Sequence, residues 1–312
     1  MVNKSKNLAI AVDIGGTNLR TAFVDEKGKI IAKNIVKTVR KGRSGNIVAE
    51  QAIGEIKKII GDSGVRKYAG IGVSVAGPID PKKGASVNPP NMNFRFVPIV
   101  APLKEEFRIP VYIMNDCIAG VLGEKHFGAG KKFSNLVYIT MSSGIGGGAI
   151  ANRNLLMGRG GNAAEIGHMT VDTKFDLPCS CGKGRGHWEA YASGNSIPKF
   201  FRIWAKNCRL EAELPSEAKA IFQAVRNKDK ITLKFMEELG KINGRGISNV
   251  IAAYDPGIII LGGAVALSSG DLVLRYAKKN IDKFLRLPEI KISNLGENAP
   301  LLGAAAMVLN KQ

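Results

Sequence analysis

With 312 residues, 45% of them hydrophobic, the chain can bury a large core as one large or two medium domains, which excludes a disordered or fibrous protein. Its 45 Lys and Arg outnumber 26 Asp and Glu for a formal charge of +19, but pairs such as Lys82-Lys83, Lys131-Lys132 and Lys278-Lys279 stop at two residues, so the excess reads as a solvated surface that attracts polyanions, not as a nucleic-acid track. The four cysteines supply no disulfide framework, because Cys179 and Cys181 are too close for an ordinary bridge and Cys117 and Cys208 are isolated; a reducing cytoplasm is expected.

At the N-terminus Lys4 and Lys6 precede an apolar run over residues 8–12, too short for a signal-peptide core. That run is strand-like, enters Asp13-Ile14-Gly15-Gly16-Thr17-Asn18-Leu19-Arg20, and returns as a second strand over 19–24. Backbone N–H groups around Gly15, Gly16 and Thr17 then face an anion with no Cβ in the way, so the turn reads as a phosphate cradle of strand-turn-strand type, unlike the strand-to-helix loops of other nucleotide binders. A glycine hairpin without a ligand fits the same residues taken alone. Strands at 30–37, 70–75 and 110–114 and a helix at 46–60 complete an α/β arrangement.

Asn115-Asp116 ends the last of these strands and starts a helix running to about Phe127. Asp116 suits a helix cap, and equally a general base at the carboxyl end of a strand; position alone does not choose. A second glycine-rich turn follows, with a strand at 137–141, then Ser142-Ser143-Gly144-Ile145-Gly146-Gly147-Gly148, then 149–152 with no helix-opening pattern. Two such hairpins, each with hydroxyls beside the glycines, fit one polyphosphate gripped from two sides.

His168, Cys179, Cys181 and His187 then bring two thiolates and two imidazoles together in a short span, a complete tetrahedral zinc set of structural type. Gly182, Gly184 and Gly186 let the loop close tightly, and Glu165 and Glu189 flank it, either as solvated residues or as carboxylates that a closed loop would fix. Helices dominate afterwards, with Phe235, Leu239, Ile242, Val250 and Tyr254 as a core-facing stripe. The apolar region 250–267 is broken by Asp255-Pro256-Gly257 and cannot span a bilayer. A buried strand at 258–261 enters Gly262-Gly263-Ala264, a helix from Pro300 closes the chain, and no repeat of 20–50 residues is visible.

Taken together, these motifs resemble the repressor, open reading frame and kinase family of sugar kinases, within the actin, Hsp70 and hexokinase superfamily. Asp13 to Thr17 is similar to its first phosphate motif, Gly72 to Asp80 to its next core signature, Asn91 to Phe94 to its Asn-x-x-Trp sugar segment, and Asn115-Asp116 to its catalytic pair. Thr140 to Gly148 resembles its second phosphate motif, Glu165-Ile166-Gly167-His168 its sugar signature, Ile259 to Gly263 its adenosine strand and turn, and Leu295-Gly296 to Gly303-Ala304 its closing segment. Three departures stand out: His187, one residue late, replaces the last cysteine of Cys-x-Cys-Gly-x-x-Gly-Cys, Ala164 replaces a glycine, and Phe94 replaces the tryptophan.

The resemblance implies a two-lobed actin/Hsp70/hexokinase-like, ribonuclease H-like α/β fold with an active-site cleft between lobes, the small lobe spanning 1–115 with the C-terminal helix 300–312 and the large lobe 116–299. It implies ATP-dependent phosphorylation of a hexose 6-hydroxyl, with glucose as the expected acceptor and fructose, N-acetylhexosamines or a broad sugar range as alternatives. By the same resemblance Asp116 is the base, and Asn91, Asn115, Glu165, His168 and Glu189 read the sugar hydroxyls. Asp13, Gly15, Gly16, Thr17, Thr140, Ser143, Gly144, Gly146, Gly262 and Gly263 hold MgATP, and zinc orders the loop, with His168 serving zinc and sugar through its two ring nitrogens. A sugar-sensing regulator is the non-enzymatic alternative. With no helix-turn-helix ahead of Asp13, specific DNA binding is not expected, and a homodimer or higher homo-oligomer is the expected assembly.

Overall fold

The computed structural model describes residues 7–89, 91–210 and 215–310; Lys4, Lys6 and the last two residues of the expected 300–312 helix lie outside the described residues. In chain order the first elements are strands β1 (Leu8–Ile14), β2 (Asn18–Asp25) and β3 (Ile30–Lys37), helix α1 (Asn46–Ser63), strands β4 (Ile71–Val75), β5 (Ile79–Asp80), β6 (Ala85–Val87) and β7 (Phe96–Pro98), helix α2 (Val100–Phe107), strand β8 (Val111–Asn115) and helix α3 (Asp116–Phe127). There follow β9 (Leu136–Met141), β10 (Ile145–Ala151), β11 (Asn154–Leu155), helices α4 (Glu189–Ala192), α5 (Ile197–Asn207), α6 (Ala218–Arg226) and α7 (Lys230–Tyr254), β12 (Ile258–Gly262), α8 (Gly263–Ala277), β13 (Glu289–Ile292) and α9 (Ala299–Leu309).

The chain divides into two compact units, the first running through Lys132 with Leu155–Ala163 and the segment from Asn298, the second comprising Phe133–Asn154 and Ala164–Glu297. The first unit therefore continues past residue 115, because α3 packs along α9 and belongs to the same core.

In the first unit the sheet order is β3-β2-β1-β4-β8, with β1–β2 and β2–β3 antiparallel and β1–β4 and β4–β8 parallel. Its central strands β1 and β4 are almost wholly buried, as unbroken apolar runs in a covered sheet should be. Helix α1 buries Val48, Ala49, Ala52, Ile56 and Ile59, one stripe at helical spacing, and stops at Gly64 in the left-handed region (φ 66°). The small antiparallel sheet β5-β6-β7 and helix α2 are absent from the sequence reading, since strands of two or three residues show no readable alternation.

Helix α9 is buried on nearly every side and built from small residues, Gly303 to Ala306 among them. The reason is backbone proximity: a Cβ on Gly303 would collide with the Ala119 carbonyl of α3, and one on Gly123 with the Ala299 carbonyl of α9. α3 carries Asp116 at its start, so this crossing sets where that carboxylate sits.

The second unit repeats the theme. β9 and β10 form an antiparallel hairpin, β12 runs parallel to β9, and β13 parallel to β12. Helix α7 is capped by Asp229, whose carboxylate accepts from Thr232 N at 2.8 Å, and its expected stripe is buried at Phe235, Leu239, Ile242 and Val250, while Tyr254 at the helix end is only partly buried. Phe235 lies among Phe200, Phe201 and Trp204, with ring centroids 4.6–5.6 Å away.

Gly303→Val should lose about 3 kcal/mol or fail to fold, as expected for overpacking against backbone, whereas Gly54→Ala, at an exposed α1 position where a Cβ meets nothing within 4 Å, should gain about 0.5–1 kcal/mol. Urea denaturation checks both; equal stability of the two variants would contradict the close crossing of α3 and α9.

Candidate active site

Asp13 lies at the end of the strand that enters the first glycine turn. Its carboxylate is buried, accepts from Ser74 Oγ at 2.9 Å and pairs with Arg20 at 3.0 Å; burial pushes its pKa up, opposed by the Arg20 charge and the Ser74 bond. Gly15 N donates to Asn18 O (3.0 Å), so the Gly15 amide closes the turn and does not face an anion. Neither Gly16 N nor Thr17 N is taken up by a backbone carbonyl among the described residues. Glycine is required at 16 for close approach: a Cβ there would lie 2.6 Å from Asn91 Cβ. The first hairpin and the Asn91 to Phe94 segment therefore touch, and Phe94 is buried in the same core.

At the carboxyl end of β8, which lies parallel to β4 and through it to β1, Asn115 caps α3. Its Oδ1 accepts from Cys117 N (2.8 Å) and Ile118 N (3.4 Å), and a Cβ on Gly77 would sit 2.5 Å from its Nδ2. The cap is thus supplied by Asn115; Asp116 is the first residue of the helix, half-buried, with Oδ1 accepting from Cys117 N at 2.9 Å.

The second glycine turn is built differently. Ser142 N donates to Gly144 O (2.9 Å), Gly194 N donates to Ser142 O (2.7 Å), and Ile145 N donates to Glu189 Oε2 (2.9 Å). Gly144 has no room for a Cβ, which would lie 2.5 Å from that same Glu189 oxygen. Ser143 is exposed at the tip, and Gly146 lies opposite Thr140 in the ladder. β12 ends beside this turn, with Gly262 paired to Thr140 and Gly263, at φ 83°, lying where a Cβ would be 2.7 Å from Thr140 Oγ1. Two strand ends and a helix start thus meet the glycine turn along one edge of the sheet, the place where open α/β sheets bind ligands.

His168, Cys179, Cys181 and His187 converge, each offering one ligand atom within 4.8 Å of the others. Cys179 Sγ and His168 Nδ1 are 3.6 Å apart, and Cys181 Sγ and His187 Nδ1 3.7 Å. Those separations match the edge of about 3.6 Å expected between sulfur and nitrogen around a tetrahedral ion. Gly186, at φ 69°, reverses the chain into the last ligand, and the His187 ring occupies the space a Cβ on Gly184 would need. Burial pushes the Cys179 thiol up to about 11, a cost that a bound cation removes by holding the thiolate.

Glu189 Oε1 accepts from Ser180 Oγ, so the carboxylate that shapes the second glycine turn is also bonded to the metal loop. Beside it Trp188 is fully buried, with Nε1 donating to Asn243 Oδ1 of α7 at 2.9 Å. Glu165 Oε2 is 3.8 Å from His168 Nε2, the ring nitrogen that does not face Cys179; burial raises the Glu165 pKa, His168 lowers it and Glu189 adds a smaller rise. Ala164 holds φ 60°, the left-handed region in which glycine is unstrained.

Sequence reasoning missed Arg20, Ser74 and Thr38. Ser74 is a hydroxyl inside an apolar strand, paired in register with Asp13, a signal readable once the two strands are known to be neighbours. Thr38 is buried, donates from N to Thr17 O (3.0 Å) and from Oγ1 to Gly15 O (2.7 Å), and left no mark in the sequence.

The sequence profile of the ROK family matches residues 9–311. A glucokinase from Pyrobaculum calidifontis is 35% identical over 96% of this chain and 94% of its own length, and the xylose repressor of Bacillus subtilis is 31% identical over 99% of this chain and 78% of its own. A ROK family glucokinase from Streptomyces griseus, solved with glucose and AMPPNP, superposes with a TM-score of 0.78 at 29% identity, covering 97% of this chain and all of that one.

Ala164→Gly should raise stability by about 0.5–1 kcal/mol, the left-handed strain less the added freedom of the unfolded chain. Chemical denaturation measures it, and a loss of stability would show that Ala164 is unstrained.

Proposed function

From its membership of the ROK family, to which this chain belongs, we propose that the protein is an ATP-dependent hexose kinase that phosphorylates the 6-hydroxyl of glucose. The observation that carries this reading is a half-buried carboxylate, Asp116, at a strand's carboxyl end, with the cap of its helix supplied by Asn115. The Pyrobaculum relative is a glucokinase, and the Streptomyces protein binds glucose and an ATP analogue, which supports both substrates.

Asp116 accepts the proton of the 6-hydroxyl while that oxygen attacks the γ-phosphorus; the new O–P bond forms, the β–γ bridge breaks, and ADP departs. The substrate nucleotide arrives with Mg²⁺, which spreads the phosphate charge. Gly16 and Thr17 offer amides to the phosphates from the first turn, and Ser143 and Gly144 from the second, while Gly262 and Gly263 give the nucleotide a close backbone surface. Gly15 closes the first turn and Asp13 ties together the strands beneath it, and Thr140 and Gly146 form the paired base of the second. Asn91, Asn115, Glu165, His168 and Glu189 read the sugar hydroxyls through amide, imidazole and carboxylate groups.

His168, Cys179, Cys181 and His187 would hold zinc, whose two-sulfur, two-nitrogen set suits that ion, and the zinc would supply scaffolding rather than chemistry. If Nδ1 of His168 served the metal, Nε2 would keep its proton and would donate to a sugar hydroxyl beside Glu165. None of Cys117, Cys179, Cys181 and Cys208 forms a disulfide, in keeping with the reducing cytoplasm proposed for the protein.

The likeness to a xylose repressor favours one second reading, a sugar-responsive regulator that binds a sugar without turnover. A coupled ADP assay across glucose, fructose, mannose and N-acetylhexosamines separates the two; sugar binding with no ADP release from any of them would replace the kinase reading.

Asp116→Asn should lower kcat by roughly 100-fold to 10,000-fold with thermal stability and sugar affinity little changed. A rate within about threefold of wild type would remove Asp116 from the chemistry. Protein prepared without chelator should carry about one zinc per chain, and Cys181→Ser should lose it together with sugar affinity. Metal analysis and sugar titration check this, and full sugar affinity in metal-free protein would separate the loop from the site.

A further inference from the structure

A cavity of about 620 Å³ opens beside the first glycine turn, lined by Thr38, Val39, Arg40, Lys41, Asn91 and Asn93, within the size range of small-molecule sites. None of the phosphate or base assignments above uses its two cations. The register of β3 explains its position: Lys37 pairs with Asn18 at the turn end of the hairpin, so the residues that follow β3 emerge alongside Gly15 to Thr17.

The backbone of this wall is fixed on three sides. Thr38 bonds to Gly15 and Thr17 as described, Gln51 of α1 accepts from Val39 N (3.0 Å) and donates to Lys37 O (2.7 Å), and Asn93 N donates to Arg40 O at 2.8 Å. Arg40 and Lys41 are exposed, and neither forms an ion pair among the described residues, although other cations of this unit such as Arg20 and Lys57 are matched with carboxylates. Two cationic residues with no ion pair among the described residues and two asparagines therefore line one cavity whose backbone is already ordered. That is the donor set for an anion, and a guanidinium beside an ammonium selects phosphate oxygens.

We propose that this cavity is a second anion subsite, which binds the phosphate group of a small molecule on the flank of the first glycine turn. The identity of that molecule rests on the kinase reading: it is either the phosphorylated sugar, which shares Asn91 with the cavity, or the phosphates of the nucleotide. The subsite itself does not depend on turnover.

The test compares wild type with Arg40→Ala/Lys41→Ala and with a charge-matched control, Arg66→Ala/Lys67→Ala. The control pair is exposed and lies near Ala69, which bonds to Leu8 at the opposite end of β1 from Gly15. Inorganic phosphate is titrated by calorimetry at fixed ionic strength, and inhibition constants for glucose 6-phosphate and ADP are measured on the same preparations. Phosphate affinity should fall about tenfold in the cavity variant and less than twofold in the control. A rise in the inhibition constant for glucose 6-phosphate assigns the subsite to the product, a rise for ADP assigns it to the nucleotide, and phosphate loss with neither changed leaves the free anion as its ligand. Wild type that takes up no phosphate, a cavity variant with wild-type phosphate affinity, or a control that loses as much would overturn the proposal. Failure of the kinase reading shows separately, as absent ADP formation across the sugar panel.

Discussion

Glu189 accepts the Ile145 amide with one carboxylate oxygen and the Ser180 hydroxyl with the other, and most of the second unit's candidate chemistry depends on that pair of bonds. Ile145 opens the strand that leaves the second glycine turn, and Ser180 lies between the two cysteines of the metal loop. The carboxylate is partly buried, and its two donors belong to segments that have to be shaped together, so one side chain sets both. Neighbouring Trp188 anchors the arrangement by burying its ring against Gly246 and bonding to Asn243 of α7. The long helix thereby holds Trp188, the residue between His187 and Glu189.

The first unit reaches a similar end with a different carboxylate. Asp13 lies buried at the end of β1, bonded to Ser74 on one neighbouring strand and to Arg20 on the other, so it ties the strands together below the turn while Thr38 holds the turn itself. Burial alone would drive Asp13 towards its neutral form; Arg20 and Ser74 oppose that. In both units an acidic side chain stands beside the glycines: Glu189 accepts a backbone amide at its turn, and Asp13 ties together side chains of the two strands flanking its own.

Backbone proximity is the other recurring constraint. The α3–α9 crossing admits no Cβ at Gly303, and the first turn packs against Asn91 only because residue 16 is glycine. Ala164 shows the same demand unmet, a side chain held in the left-handed region immediately before Glu165. Strain at that point is sustained by what packs on it: Gly147 of β10 has no room for a Cβ beside the Ala164 carbonyl and Ile166.

Much of this was written in the chain. Continuous apolar runs fixed the central strands, the stripe from Phe235 fixed the buried face of α7, and the spacing of two cysteines and two histidines was enough to bring out a tetrahedral set, because ligand chemistry is carried by residue type. The glycine turns were also legible, but the reason for each glycine was not: residue 16 needs one for contact with Asn91, seventy-five residues away, and not for a left-handed turn. Whether Asp116 or Asn115 caps α3 could not be read from adjacent polar residues, because a cap is defined by backbone angles and a bond to the amides that follow. Arg20, Ser74, Thr38 and the Arg40–Lys41 cavity stayed hidden for the same cause: their partners come from strand register and from loops brought alongside a turn. Sequence determines which groups exist and which local elements they favour; only the tertiary structure decides which of them end up within bonding distance, since that distance is set by the packing of segments far apart in the chain.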